Sequence, residues 1–467
     1  MDFLIEFTGT GLAYGRVALE VKGPAGVMPG LTAVTGPNGS GKTTLGNVIA
    51  KGRHAFNNRM TFARPEMTTV MLAFTDIHSL AGIDAEYAAQ RHEATMNDYV
   101  PDVASIVGAK ARSERWIELT RALGLKDVLT KKINYLSSGE LRKLLLVNTL
   151  LTEPDILVLD NPYIGLDAAG RREFDLTLQR LIAGGLNVVM LLCDAQDVPE
   201  FADAVLPLYN KVVGPVVTDR AAIEAMRRPA PEPQLPPLPP MRPSAAPEAE
   251  IAFAITSGTV KYGERVIFSG LDWTVRQGEC WALSGRNGSG KSMLLSLVCA
   301  DNPQGYSNDI VLFDRRRGTG ESIWDIKDRI GYVSPEMQLY FRSTVPVVDI
   351  VVQGMRPFLG RYRAVTEAEQ AEALQWLTLL GIAPLAGRRF GELSTGEQRL
   401  VLVARVLARQ PDLMVLDEPF HGLDAEHKAL LRRIIDEMVS RSGAALIFVT
   451  HYEEEVPKCV THFKKLS

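Results

Sequence analysis

The sequence predicts an α/β protein built twice over, each copy a mostly parallel sheet core with an inserted helical subdomain, the two joined by a proline-rich linker. Three observations carry this. GPNGSGKT at 36–43 recurs as GRNGSGKS at 285–292. YLSSGELRK (135–143) recurs as ELSTGEQRL (392–400), and LVLDNPYIGLD (157–167) recurs as MVLDEPFHGLD (414–424). Between the copies lies PAPEPQLPPLPPMRPSAAP (229–247), with nine prolines in nineteen residues. Proline fixes φ and lacks the backbone donor, so this stretch is neither helix nor central strand. It should be a semi-rigid polyproline spacer of at most roughly 60 Å, at ~3.1 Å per residue. The expected domains are 1–225, a linker at 226–249, and 250–467.

A chain of 467 residues is too long for one ordinary core, so internal duplication fits its length. The runs LTAVTG and CWALSG are apolar and glycine-bounded, and read as buried strands leading into a glycine turn and a helix. DILVLD, DLMVLD, NVVMLLC and AALIFV read as further buried strands of a parallel sheet. The segments at about 84–135 and 345–392 are richer in charge and in Ala/Leu helical pattern, and are the expected helical subdomains.

Composition excludes several classes. The chain is 46% hydrophobic and 23% charged with a formal net charge of −4, which argues against a broad nucleic-acid-binding field. Cys193, Cys280, Cys299 and Cys459 form no close cluster, so neither a disulfide frame nor a zinc site is expected. The start MDFLIEFTGTG lacks a signal peptide's basic flank, and no uninterrupted apolar run approaches eighteen residues. A membrane role would need a partner to supply the membrane.

Both glycine-rich stretches fit GxxxxGK[ST]. In such a loop, successive backbone N–H groups curl round a phosphate at a helix N-terminus, where the dipole favours anions. The expected nucleotide contacts are Gly36, Asn38, Gly39, Ser40, Gly41, Lys42, Thr43 and Thr44 in the first copy. In the second they are Gly285, Asn287, Gly288, Ser289, Gly290, Lys291 and Ser292. The lysines neutralise β- and γ-phosphates, and Thr43 and Ser292 offer hydroxyls to Mg²⁺. Asp160 and Asp417 end the apolar runs and are the expected Mg²⁺ carboxylates. Glu418 follows Asp417 and can orient or deprotonate an attacking water, whereas Asn161 can hydrogen-bond but takes no proton at neutral pH. SSGE and STGE read locally as helix capping boxes, and a capped N-terminus with an adjacent glycine is also a γ-phosphate site.

Taken in order, these motifs resemble the ATP-binding cassette (ABC) ATPases over nearly the whole chain outside the proline stretch. The resemblance implies ATP and Mg²⁺ as cofactors. It also implies an intramolecular head-to-tail pairing of cassettes in a monomeric chain, each ATP lying between one phosphate loop and the other cassette's LSxGE. Ser137 and Gly139, and Ser394 and Gly396, match that LSxGE segment; Gly165–Asp167 and Gly422–Asp424 match the D-loop. His451 matches the switch histidine, and the first copy has Asp194 in its place. Tyr14 and Tyr262 stand where the family stacks an aromatic ring on adenine, although lone tyrosines are more often core packing. The segment 302–334 is similar to the ModF group, twin cassettes associated with molybdate transport. Within it, Arg315–Arg317 read either as a contact to a partner or nucleotide or as a solvated basic run.

The departures are specific. Where the family has a glutamine after a core strand, alignment of the copies gives Asp76 and Glu336, with His78 and Gln338 nearby. Glu336 is therefore an expected Mg²⁺-sensing position. Ser138 and Thr395 replace a usual glycine. The resulting expectation is two unequal sites: the second complete with Lys291, Glu418 and His451, the first keeping its phosphate loop but lacking base and switch. Three functions compete. They are a cytoplasmic ATPase subunit peripheral to the membrane and serving a permease in trans, a twin cassette of repair or translation type, and an ATP-gated scaffold. The acidic chain with no expected nucleic-acid partner, together with Glu418 and His451, favours the first.

Overall fold

In the computed structural model the described residues are 2–8, 11–15, 17–51, 59–73, 102–125, 128–132, 136, 138–228, 232–242, 249–263, 265–285, 289–357 and 363–466. The chain divides into two compact units. One comprises Met1–Pro231 with Gly422–Ala425, the other Glu232–His421 with Glu426–Ser467.

The first unit is centred on an eight-stranded sheet. Its parallel part runs Thr69–Ala73, Ile156–Asp160, Asn187–Leu192, Leu31–Thr35 and Ala204–Tyr209 in spatial order. Val212–Val213 joins Ala204–Tyr209 antiparallel, Val17–Val21 joins Val212–Val213 parallel, and Gly11–Tyr14 joins Val17–Val21 antiparallel. Every residue of Leu31–Thr35 and Ile156–Asp160 is buried, as the continuous apolar runs require of strands covered on both faces. The helix Lys42–Lys51 follows the first glycine-rich loop, and Ser138–Leu150 and Ala168–Ala183 pack on the sheet. A small three-stranded sheet of Gly26–Val27, Ile5–Phe7 and Met60–Phe62 sits apart from it.

The second unit repeats the core as five parallel strands: Ile330–Val333, Leu413–Asp417, Ala445–Val449, Cys280–Gly285 and His462–Leu466. Beside it lies an antiparallel sheet ordered Arg265–Arg276, Ile251–Tyr262, Asp309–Leu312 and Arg315–Arg316. Each apolar run read as a buried strand is one. The antiparallel sheets went unread, because their alternating, bulged strands lack a continuous apolar signal. The helices Val347–Met355 and Glu367–Leu379 occupy the expected inserted segment; in the first unit Val103–Val107 and Glu114–Ala122 do so.

Over its described part the proline-rich stretch is held by side chains of the second unit. Residues 232–242 form neither helix nor strand and lie along the second unit. The Gln410 amide donates to Pro240 O at 3.1 Å and accepts from Arg242 N at 2.5 Å, while Arg242 pairs with Glu372 at 2.6 Å. Prolines leave carbonyls unpaired by any ladder, and side chains of the second unit take them up.

Candidate functional site

In each unit the strand before the glycine-rich loop and the strand ending in aspartate are separated by a single parallel strand, Asn187–Leu192 or Ala445–Val449. The loop, the aspartate and the residue after the intervening strand therefore meet at the carboxyl edge of the sheet, where open α/β sheets place their ligands.

Gly36 is required sterically: a Cβ there would stand 1.8 Å from Leu208 O. Lys42 is buried and its Nζ donates to Gly36 O at 2.7 Å and Pro37 O at 2.8 Å, folding the side chain over its own loop. Lys291 Nζ donates to Gly285 O at 2.7 Å in the same way. Ser40 Oγ and Ser289 Oγ, at matching positions, are buried and meet no hydrogen-bond partner among the described residues. Two orphaned hydroxyls beside buried lysines, at helix N-termini, are the chemistry of a phosphate cradle. Thr43 Oγ1 donates to Asp160 Oδ2 at 2.8 Å, so a hydroxyl and a carboxylate oxygen already converge where Mg²⁺ would be held. Thr44 follows in the same helix. Ser292 is exposed at the start of Lys291–Val298, and Asp417 is buried at its strand end.

The residues after the aspartates share one backbone. Asn161 has φ 48° and Glu418 φ 47°, both left-handed. Asn161 N donates to Leu191 O at 3.0 Å and Glu418 N to Val449 O at 2.9 Å. Asparagine tolerates this conformation well and glutamate less so, which makes Glu418 a strained residue of the kind retained for chemistry.

Their side chains diverge. Asn161 Nδ2 donates to Asp160 Oδ1 at 2.9 Å. Glu418 Oε1 lies 3.2 Å from His451 Nε2, and Oε2 lies 3.5 Å from His421 Nδ1. Burial alone would raise the Glu418 carboxyl, but His451, the charge of His421 and that of Arg399 outweigh it and bring it down to about 2. Asp417 is pushed up to about 7, by burial first and then by Glu418. Glu418 is therefore ionised at neutral pH. In the first unit Asp194 is buried and caps the turn Ala195–Asp197 through a 2.9 Å bond from Gln196 N. His421 escaped the sequence reading. The available signal was that the aligned copies also differ here, with Ile164 opposite His421.

Ser394 caps Thr395–Arg409, and the expected capping box with Glu397 is formed; Gly396 is buried in the first turn. Gly139 lies in the first turn of Ser138–Leu150, while Ser137 falls outside the described residues. There Glu140 pairs with Lys131 at 2.6 Å. Glu336 is exposed on the first turn of Pro335–Tyr340; the buried neighbour is Gln338, whose amide donates to Thr395 O at 2.7 Å. Asp76, His78, Asn287 and Gly288 lie outside the described residues. Tyr14 is 37% exposed at the end of its strand, whereas Tyr262 is half-buried with its hydroxyl 3.5 Å from Met293 Sδ. Of the two rings, Tyr14 is the one open to stacking.

The family described as ABC transporter matches residues 28–164 and 268–421. The chain belongs to it. Each match is one ABC-type cassette, so the protein carries two. The chain is 36% identical over 451 residues to the ABC transporter ATP-binding protein ModF of Escherichia coli strain K12, covering 92% of this chain and 90% of that protein. An uncharacterized ABC transporter ATP-binding protein of Schizosaccharomyces pombe is 28% identical over 449 residues, covering 92% and 90%. Among solved structures, the archaeal ribosome recycling factor aABCE1, in complex with the ribosomal stalk protein aP1, matches 98% of this chain and 87% of that one. The TM-score is 0.59 at 19% identity, a likeness of fold. No helix among the described residues is long and apolar enough to cross a membrane.

Proposed function

We propose that this twin-cassette ABC protein binds Mg²⁺ and ATP at both phosphate loops and hydrolyses ATP mainly in the second cassette. That turnover energises an integral-membrane permease supplied by another chain, with an oxyanion of the molybdate type as cargo. The observation that carries the unequal turnover is the shared backbone of Asn161 and Glu418 with unlike side chains on it. Mg²⁺, held through Ser292 and Asp417, would supply positive charge to the transferring phosphoryl group. Lys291 adds a second positive charge against the phosphates, Glu418 orients and deprotonates the water, and His451 steadies the carboxylate and reaches toward the γ-phosphate. The first cassette keeps Lys42, Thr43 and Asp160 for binding but has an amide where the proton acceptor should be.

The transport reading is supported by the similarity to a relative named as a transporter ATP-binding protein, and the cargo by the resemblance to the ModF group. On this reading the chain works in the cytoplasm at the inner face of the membrane. Fractionation tests it: the protein should co-purify with an integral-membrane protein and leave the membrane fraction when that partner's gene is deleted. An unchanged distribution, with tight binding of RNA or duplex DNA at about 150 mM salt, would instead favour a twin cassette uncoupled from transport.

A further inference from the structure

We infer that the second cassette carries a recognition site for polyproline II segments, and that residues 233–242 of the linker are its resident ligand. The burial pattern points there first. Gln234, Pro237 and Pro240 are exposed, whereas Leu235, Leu238 and Met241 are half-buried. Pro233 and Pro236 are half-buried too, and Pro239 is buried. Burial that repeats every third residue has the period of polyproline II, which makes one turn in three residues. A strand would alternate with a period of two, exposing Pro236 and Leu238 along with Gln234. The segment therefore turns two faces of a polyproline helix inward and one to solvent.

A polyproline helix makes no internal hydrogen bonds, so its carbonyls stay open to a reader. Groups on four helices of the second unit, or at their ends, read this one. Arg433 Nη1, on Ala425–Ser442, donates to Pro233 O. Gln410, the left-handed cap of Thr395–Arg409, donates from Nε2 to Pro240 O at 3.1 Å and accepts from Arg242 N at 2.5 Å. Arg242 Nη2 donates to Glu372 Oε1, on Glu367–Leu379, at 2.6 Å. Its Nη1 donates to Met355 O at 3.3 Å, where Val347–Met355 ends.

These bonds fix both the register and the class of ligand. Gln410 reads a carbonyl at one residue and an N–H two residues further on. Slipping the segment by one polyproline turn would set Pro237 O and Pro239 N before Gln410, and proline has no N–H to give. A ligand here needs proline repeated at every third position, a non-proline N–H after the repeat, and a cation beside Glu372. Pro233–Arg242 supplies all three. The site stands apart from the nucleotide chemistry, and its docked residues belong with the second unit, adding no reach to the linker.

The probe is a fluorescent peptide of residues 231–243, titrated by anisotropy into two full-length chains. One is unmodified; in the other, residues 233–242 are replaced by an equal length of Gly and Ser. The replaced chain should bind about ten-fold tighter or better, because the resident segment of the unmodified chain competes at a millimolar effective concentration. Gln410→Ala in the replaced chain should weaken binding by about ten-fold or more, since both of its hydrogen bonds to the segment go. Arg242→Ala in the peptide and Glu372→Ala in the chain should each cost about three-fold, as a half-exposed ion pair does, and together no more than either alone. A peptide of the same composition with the three-residue spacing scrambled should bind about ten-fold more weakly or worse. Equal binding by the two chains, equal binding of the scrambled peptide, or no binding to the replaced chain at about 1 mM peptide overturns the inference. Should the replaced chain fail to fold, hydrogen exchange on the chain with its own linker carries the test. There Gln410→Ala should speed exchange at the Arg242 amide about ten-fold or more, and an unchanged rate overturns the inference.

Discussion

Asn161 and Glu418 occupy one backbone conformation, φ 48° and 47°, each donating its N–H to the strand that precedes the switch position. The fold therefore presents the same point in space twice and places a proton acceptor there once. On the proposed reading, unequal turnover of the cassettes would come from side chains, of which three differ in concert: Asn161 against Glu418, Ile164 against His421, and Asp194 against His451.

His421 Nδ1 lies 3.5 Å from the second oxygen of Glu418, and if it fixes that oxygen its loss should free the carboxylate to swing without removing it. His421→Gln should lower kcat by about five- to ten-fold with little change in KM, while Ile164→Ala should leave kcat within about two-fold. Steady-state kinetics of the two variants decide this. Equal effects would mean that the position is only structural in both cassettes.

Lys42 reaches over its loop to Gly36 O and Pro37 O, and it is the cation a phosphate would draw away from those carbonyls. Lys42→Ala should remove about one of two nucleotide equivalents in equilibrium dialysis and reduce turnover less than it reduces occupancy. Two equivalents retained at unchanged affinity would show that the first cassette does not bind through this loop.

Much of the site was legible in the sequence because it consists of short motifs with fixed backbone tasks. A phosphate loop needs glycine where Leu208 O leaves no room for a Cβ, and a strand covered on both faces is mostly apolar. The approach of His421 to Glu418 was not legible. It depends on the chain turn that brings Nδ1 within 3.5 Å of the carboxylate, and that spacing has no signature of its own. The proline stretch was legible in backbone but not in contacts: residues 232–242 are neither helix nor strand, as composition implies. Composition sets its backbone preference, but the side chains of Arg242, Gln410 and Glu372 determine that its described part lies along the second unit.

Glu369 offers a stability test away from the chemistry. Its two oxygens accept from Arg356 Nε at 2.9 Å and Nη2 at 2.7 Å, and it completes the capping box of Glu367–Leu379 with Thr366. The bond to Arg356, followed by that from the Thr366 backbone, holds its carboxyl well below the ordinary 4.5. A carboxyl depressed by folding stabilises fully above its unfolded pKa, and this stability is lost as pH falls through the lower folded value. Glu369→Gln should therefore lower the melting temperature at neutral pH, and its gap from the unmodified chain should narrow below about pH 4. A gap that widens on acidification would contradict the assignment.

The most direct test of the unequal cassettes compares steady-state ATPase turnover of Glu418→Gln and Asn161→Ala. Glu418→Gln removes the proton acceptor and should cost about 10²-fold or more, whereas Asn161→Ala removes only an amide that bonds Asp160 and should cost a few-fold. Glu418→Gln retaining most of its activity, or Asn161→Ala abolishing turnover as completely, would contradict the account.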